Sequence, residues 1–94
     1  MAVIITDEAY NDLANISDFI AQDSSNNAEK FINEIFEAIE NIEENLLMYR
    51  KSIYYGDEKH RDMIFKKYTV VFQIAKSDIN ILAVFKARNY QKKK

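Results

Sequence analysis

The side chains best suited to acid–base or phosphate chemistry all lie in the second half of the chain. They are His60, Arg61, Lys86, Arg88 and Tyr90. His60 is the only side chain whose ordinary pKa lies near neutrality, so it is the obvious candidate for moving protons. Arg88 offers a planar fork of donors that can hold a phosphate, and Tyr90 could stack on a base or donate a proton. A cluster around Arg88 could be completed by Lys86, Tyr90, Arg61 and His60.

Each of these residues also has a simpler structural interpretation. A lone histidine in a charged segment is usually an ordinary surface residue. Arg88 can pair with acidic helices or contact a protein partner, and Tyr90 can cover the edge of the core. Catalytic residues therefore stay unassigned among the five candidates.

Composition excludes several classes of site. The chain has no cysteine and one histidine, so thiolate chemistry, disulfides and multi-histidine metal sites are ruled out. It has no glycine-rich phosphate loop, no HExxH and no EF-hand spacing. The carboxylates at 37–44 indicate a solvated helix face before they indicate a metal. We expect no cofactor and no metal.

Charge is strongly polarised along the chain. Residues 1–49 carry eleven acidic side chains and one lysine, whereas residues 50–94 carry twelve lysines and arginines and four acidic side chains. The basic half could face nucleic acid or an acidic protein. Alternatively, two oppositely charged layers attract each other, and the charges are otherwise solvated.

The first half predicts a strand followed by a helical hairpin. Val3–Ile5 is β-branched, Thr6 is a candidate N-cap, and apolar residues then recur at helical spacing to about Ala21. A turn follows, and Asn26 with Glu29 matches a capping box that would start the second helix. Its apolar stripe runs as far as Leu46.

The second half predicts strands. Residues 50–59 form an exposed connection in which Gly56 supplies a turn. Three β-rich runs follow at 63–65, 68–74 and 79–85, with short connections at 66–67 and 77–78. Strand alternation places two sets of side chains on the face that packs against the helices. These are Tyr68, Val70, Phe72 and Ile74, and Ile79, Ile81, Ala83 and Phe85.

These elements predict an α+β fold. The N-terminal strand precedes an antiparallel two-helix hairpin, which packs on one face of a mainly antiparallel C-terminal three-stranded sheet. No proline or glycine-rich linker divides the chain, so residues 1–94 are expected to form one domain. The apolar run at the N-terminus is too short for a leader or a membrane span, and we expect a cytoplasmic protein without a membrane partner.

The order and spacing of two stretches resemble the RelE/ParE superfamily of toxins. The first covers Glu8 through Phe36, with Asp12-Leu13, Phe19-Ile20-Ala21 and Phe31-Ile32. The second runs from Arg61 through Tyr68–Ile74 and Ile79–Val84 into Lys86-Ala87-Arg88. The resemblance implies the toxin of a bacterial type II toxin–antitoxin system. It also implies that a functional site would lie near the C-terminal strand.

Two branches of the superfamily differ in what they attack. RelE-like members resemble ribonucleases that cut mRNA on the ribosome, and ParE-like members poison DNA gyrase. Thr69 stands where RelE-like nucleases tend to carry an arginine, which favours the ParE-like branch. The alternatives are a metal-independent endoribonuclease that uses the five candidates above, and a toxin-like binding module that is not toxic.

The resemblance also implies partners. A cognate antitoxin would lay an extended or helical segment across the sheet edge and the helical hairpin, and its acidic groups would pair with the basic half. DNA gyrase is the implied target, or the ribosome with mRNA in the alternative. The oligomeric form stays open between a homodimer and a toxin–antitoxin hetero-oligomer.

Overall fold

A computed structural model describes residues 1–86 of the chain. In chain order, the elements are β1 Ala2–Ile5, α1 Asp7–Ala21, α2 Ser25–Glu40, a 3₁₀ helix Asn41–Met48, β2 Arg50–Lys51, β3 His60–Phe65, β4 Tyr68–Ile74 and β5 Asp78–Lys86. None of the helices in this range is long and apolar enough to cross a membrane. The α+β prediction is confirmed.

All five strands of the described residues join one sheet, in the order β1-β5-β4-β3-β2. β1 runs parallel to β5, and the other neighbours are antiparallel. The predicted connection at 50–59 is wrong at its start, because Arg50 and Lys51 pair with Asp62 and Arg61 as a short edge strand. Ser52 is only 1% exposed.

Thr6 anchors the start of α1 to the sheet. Its hydroxyl oxygen accepts a hydrogen bond from the Ala9 backbone N–H at 3.2 Å and donates one to the Ile81 carbonyl at 2.7 Å. The side chain therefore satisfies an orphan donor of the helix and links the helix to β5. The predicted N-cap is confirmed.

The predicted start of the second helix is wrong by about two residues. Ser24 is the N-cap, with an extended backbone, and its hydroxyl accepts from the Asn27 N–H at 3.1 Å. Asn26 then lies within the first turn, where its side chain is past the capping position. At the other end, α2 tightens into the 3₁₀ helix and is broken at Asn45, while Ile42 still faces the core.

The helical hairpin covers one face of the sheet. The core between the two layers consists of buried apolar side chains from both. From the helices these include Leu13, Phe31, Ile35 and Ile39, and from the sheet Val70, Phe72, Ile79, Ile81 and Val84. The predicted face of β4 is confirmed because Tyr68, Val70, Phe72 and Ile74 all pack there.

The predicted face of β5 is only half correct. Ile79 and Ile81 belong to the core, but Ala83 and Phe85 do not. Between Val71 and Phe72 the register shifts, since Val71 pairs with Ala83 and Phe72 with Ile81. The extra residue in β5 inverts the alternation beyond it, so Val84 faces the helices and Phe85 lies on the opposite, outer face.

Candidate functional site

A loop over residues 52–59 lies at the outer face of the sheet, beside one of the candidate residues, His60. The Ser52 N–H donates to the His60 carbonyl at 2.8 Å, and the Gly56 N–H donates to the Ser52 carbonyl at 3.0 Å. Gly56 has φ +73°, the left-handed conformation that a glycine adopts without strain. The loop is thereby held against the start of β3.

Asp62 is a buried carboxylate that ties this loop to β2. Its Oδ2 accepts from Arg50 Nε at 3.2 Å and from the Ile53 N–H at 3.2 Å, and it lies 3.1 Å from Arg50 Nη2. The Asp62 side chain is fully buried, and its Oδ1 has no hydrogen-bond partner. Sequence reasoning missed this residue because its main partner lies twelve positions earlier, on a strand of two residues.

His60 forms a side-chain hydrogen bond and an aromatic stack within the same loop. Its Nδ1 lies 2.8 Å from Asp57 Oδ1, and its ring stacks on Tyr55 with centroids 4.0 Å apart and planes 2° apart. Asp57 also accepts from the backbone N–H groups of Lys59 and His60. The hydrogen bond from His60 is the main cause that lowers the pKa of Asp57, and the backbone donors add to it.

Arg61, the next residue, points to the other face of the sheet. Its Nη1 donates to the Tyr49 carbonyl at 3.0 Å, and its Nε donates to the Glu58 carbonyl at 3.2 Å. Consecutive residues of a strand project from opposite faces. Arg61 and His60 are therefore sequence neighbours whose side chains do not share a surface.

Lys86 lies at the opposite end of the sheet from these two residues. In register it pairs with Tyr68, which pairs with Phe65, whereas His60 pairs with Gln73. Five residues of β3 separate the two ends, about 17 Å along the strand. Lys86 Nζ lies 5.5 Å from the ring centroid of Phe19 and 6.0 Å from that of Tyr68.

The other two candidates, Arg88 and Tyr90, lie outside the described residues. Three of the five candidate site residues are described. His60 and Arg61 are neighbours in sequence but point to opposite faces of the sheet, and Lys86 lies apart from both. Among residues 1–86, no group of three or more histidine, aspartate or glutamate side chains could hold a metal ion.

Thr69 occupies a closed position on the outer face. It is 0% exposed, and its Oγ1 has no hydrogen-bond partner. Its register partner is Phe85, and the Tyr54 ring meets Phe85 edge-on at 5.2 Å. The residue at this position supplies no positive charge, because threonine carries a short hydroxyl, and its side chain is buried.

The comparisons with known proteins agree with this architecture. A model of the family described as the ParE toxin of the type II toxin–antitoxin system, parDE, matches residues 3–90. The chain is similar to a solved structure from the chromosomal ParDE toxin–antitoxin system of P. aeruginosa, with a TM-score of 0.75 and 18% sequence identity. The match covers 92% of this chain and 95% of the other, and at that identity it shows the fold alone. No curated protein matches significantly.

Proposed function

Because the chain belongs to the family of ParE toxins of type II toxin–antitoxin systems, we propose that it inhibits growth by binding a protein target, DNA gyrase. We further propose that a cognate antitoxin neutralises it. The family match over residues 3–90 carries this proposal. In the superfamily, poisoning of gyrase belongs to ParE-like members and cleavage of mRNA to RelE-like members.

The buried Thr69 supports binding rather than RNA cleavage. A nuclease of the RelE type needs cations that stabilise the charge developing on a phosphate. At the strand position where such enzymes tend to carry arginine, this chain has a fully buried hydroxyl. Within residues 1–86, aromatic rings of Tyr54 and Phe85 lie on this side of the sheet.

The placement of the described cations supports the same conclusion. Arg61 is engaged by two backbone carbonyls, and Lys86 lies at the other end of the sheet. General acid–base catalysis needs the proton acceptor and the charged groups within hydrogen-bond reach of one substrate. His60, Arg61 and Lys86 do not converge in this way.

Two exposed features offer an antitoxin a place to bind. Within residues 1–86, β1 pairs with β5 alone, and its Ala2–Ile5 edge has neither charge nor proline to discourage a further strand. On α1, Tyr10 and Phe19 are 53% and 60% exposed. Tyr10 and Phe19 lie on opposite sides of α1, because nine residues separate them. An antitoxin segment that adds to the β1 edge and a second that lies on the Tyr10 side of α1 would bury the strand edge and this ring, as peptides do when they extend a sheet or lie on a helix.

The central experiment induces the chain in bacterial cells and follows plasmid supercoiling and transcript integrity in the same culture. We expect growth arrest with loss of negative supercoiling and intact mRNA, and rescue by co-expression of the antitoxin. Purified chain should also inhibit gyrase supercoiling in vitro. Transcript cleavage with normal supercoiling would support the endoribonuclease instead, and normal growth at high soluble expression would support a non-toxic module.

The antitoxin surface has a matched control on the other side of the molecule. Tyr10→Ala changes an aromatic side chain on α1 that is 53% exposed, and Ile64→Ala changes an aliphatic side chain on the outer face of β3 that is 55% exposed. We expect Tyr10→Ala to weaken antitoxin binding and Ile64→Ala to leave it unchanged, measured by calorimetry. Equal effects of the two substitutions would contradict the proposed surface.

A further inference from the structure

We propose that a polar surface at the end of the sheet near the β4–β5 connection binds single-stranded nucleic acid through a phosphate and a stacked base. This surface, named here the polar shelf, consists of Tyr55, Lys59, His60, Gln73, Lys76 and Asn80. It lies at the other end of the sheet from Lys86, and it is independent of the function proposed above.

A depression of about 500 Å³ forms the phosphate side of the polar shelf. It is lined by Lys59, Gln73, Ile74, Ala75 and Lys76, and no carboxylate is among them. Neither lysine makes an ion pair within residues 1–86. The Ile74 N–H donates to the Lys59 carbonyl at 2.7 Å, so the backbone that carries one lysine is fixed beside the floor of the depression.

A row of polar side chains crosses the outer face next to this depression. His60 pairs in register with Gln73, and Gln73 pairs with Asn80. The Asn80 Nδ2 donates to the Gln73 Oε1 at 3.2 Å, which directs the amide nitrogen of Gln73 away from Asn80. That nitrogen carries two donor hydrogens, the groups that hold phosphate and sugar oxygens in nucleic-acid complexes.

Tyr55 supplies a stacking surface beside the row. One face of its ring lies against His60, with the planes parallel within 2°. The residue is 53% exposed, so the opposite ring face is open to solvent. A base placed there would extend an existing aromatic stack, and base–aromatic stacking tolerates any sequence.

Asp57, Glu58 and Asp78 are close in sequence to residues of the polar shelf, and none of them lines the depression. Glu58 pairs with Lys51. Asp57 is occupied by the His60 ring and by two backbone N–H groups. Asp78 is half-buried at the start of β5 and does not line the depression. Two cations therefore act on the depression without a carboxylate facing into it.

The combination of two lysines and an exposed aromatic ring favours nucleic acid over an acidic peptide as the ligand of the polar shelf. A peptide carboxylate would use the lysines but would leave the open face of Tyr55 without a partner, whereas a nucleotide uses both. It favours a single strand because a base inside a duplex is already stacked and cannot reach an aromatic side chain.

The test measures anisotropy of a fluorescein-labelled oligothymidylate of about twelve nucleotides, a length within the usual site sizes, at about 50 mM salt. We expect Lys59→Gln with Lys76→Gln to weaken binding about tenfold and to reduce the salt slope by roughly 1.4, the value for two phosphate contacts. Tyr55→Leu should weaken binding at least about fivefold, while Tyr55→Phe keeps the ring and should bind like the wild type.

Two basic controls separate the polar shelf from other positive regions. Lys67→Gln alters an exposed lysine in the β3–β4 turn at the far end of the sheet. Substitution of Lys92, Lys93 and Lys94 with glutamine alters the basic C-terminal sequence. We expect both controls to bind within about twofold of the wild type. All variants should first show the wild-type urea midpoint, so that a loss of binding is not a loss of folding.

Several results would overturn the proposal. One is a Kd for the oligothymidylate weaker than about 100 μM at low salt, since that is no tighter than non-specific binding. Another is equal affinity for a duplex or for oligoglutamate of the same length. A third is binding that the polar-shelf variants preserve and that the C-terminal substitutions abolish.

Discussion

The Asp12 carboxylate on α1 accepts a hydrogen bond of 2.9 Å from the backbone N–H of Val84 in β5. Val84 follows the register shift in β5, so a helix side chain serves the backbone where the strand leaves its regular alternation. The contact joins the helical layer to the sheet, as the Thr6 hydroxyl does at the Ile81 carbonyl.

Removal of this acceptor should destabilise the fold. Asp12→Ala leaves a partly buried N–H unsatisfied, so we expect a loss of about 1–3 kcal/mol in the free energy of unfolding. Urea denaturation gives the value. Asp18→Ala, an exposed position on the same helix, should change the free energy by less than about 0.5 kcal/mol. Similar losses in both variants would argue against a specific role for the bond.

Thr69 should tolerate loss of its hydroxyl. The Oγ1 is buried without a partner, and valine has nearly the same shape, so Thr69→Val should be neutral or stabilise the protein by up to about 1 kcal/mol. Val71→Thr introduces the reverse change at a neighbouring residue that is 2% exposed. It should destabilise by about 1–3 kcal/mol in thermal or urea unfolding. A destabilised Thr69→Val would mean that the hydroxyl has a partner.

Arg50 and Lys51 are adjacent basic residues, and we expect their substitution with alanine to change the free energy of unfolding by very different amounts. Arg50→Ala leaves the buried Asp62 carboxylate without its charged partner, and we expect a loss of about 2–3 kcal/mol, below the fully buried range because Arg50 is partly exposed. Lys51 pairs with Glu58 on the surface at 3.4 Å. Lys51→Ala should cost less than about 0.5 kcal/mol. Unfolding midpoints that do not differ would contradict the assignment of Asp62 as a buried anchor.

Two carboxylates allow a paired test of pKa. His60 lowers the pKa of Asp57, and Lys66, which donates to Glu34 at 2.7 Å, lowers the pKa of Glu34. Carboxyl NMR titration should show that His60→Ala raises the pKa of Asp57 toward its usual range and leaves the pKa of Glu34 unchanged. Lys66→Met should raise the pKa of Glu34 and leave the pKa of Asp57 unchanged.

The sign of the accompanying stability change follows from the depressed pKa of Asp57 in the folded state. The ionised carboxylate contributes stability above the ordinary aspartate pKa of about 3.9, and that contribution is lost as the pH falls through the lower folded value. Asp57→Asn should therefore flatten the pH dependence of unfolding only below about pH 4. A change confined to neutral pH would assign the effect to another group.

Local patterns predicted the parts of the fold that depend on neighbours in sequence. The spacing of Leu13, Ile16 and Ile20 was sufficient for α1, and Thr6 was sufficient for its start. The capping box at Asn26 is wrong because Ser24, two residues earlier, is an equally good cap residue and its hydroxyl accepts the hydrogen bond of the N-cap position.

The parts that sequence could not predict depend on contacts between distant residues. β2 is two residues long, and its Arg50 pairs with Asp62, twelve positions later in the chain. The extra residue in β5 is visible only once β4 lies beside it. The separation of Lys86 from His60 also depends on the pairing of distant strands. Both residues belong to the basic half of the sequence, and they occupy opposite ends of the sheet.

The parallel pairing of β1 with β5 constrains how the chain can be made. Ala2 meets Asp78, so the strand that leaves the ribosome early waits for one that is synthesised late. A nascent chain that still lacks Asp78–Lys86 carries Val3–Ile5 without a partner and a helical hairpin without the middle of its sheet. Such an intermediate exposes apolar surface, which chaperones and proteases recognise, until β5 has emerged and can pair with β1.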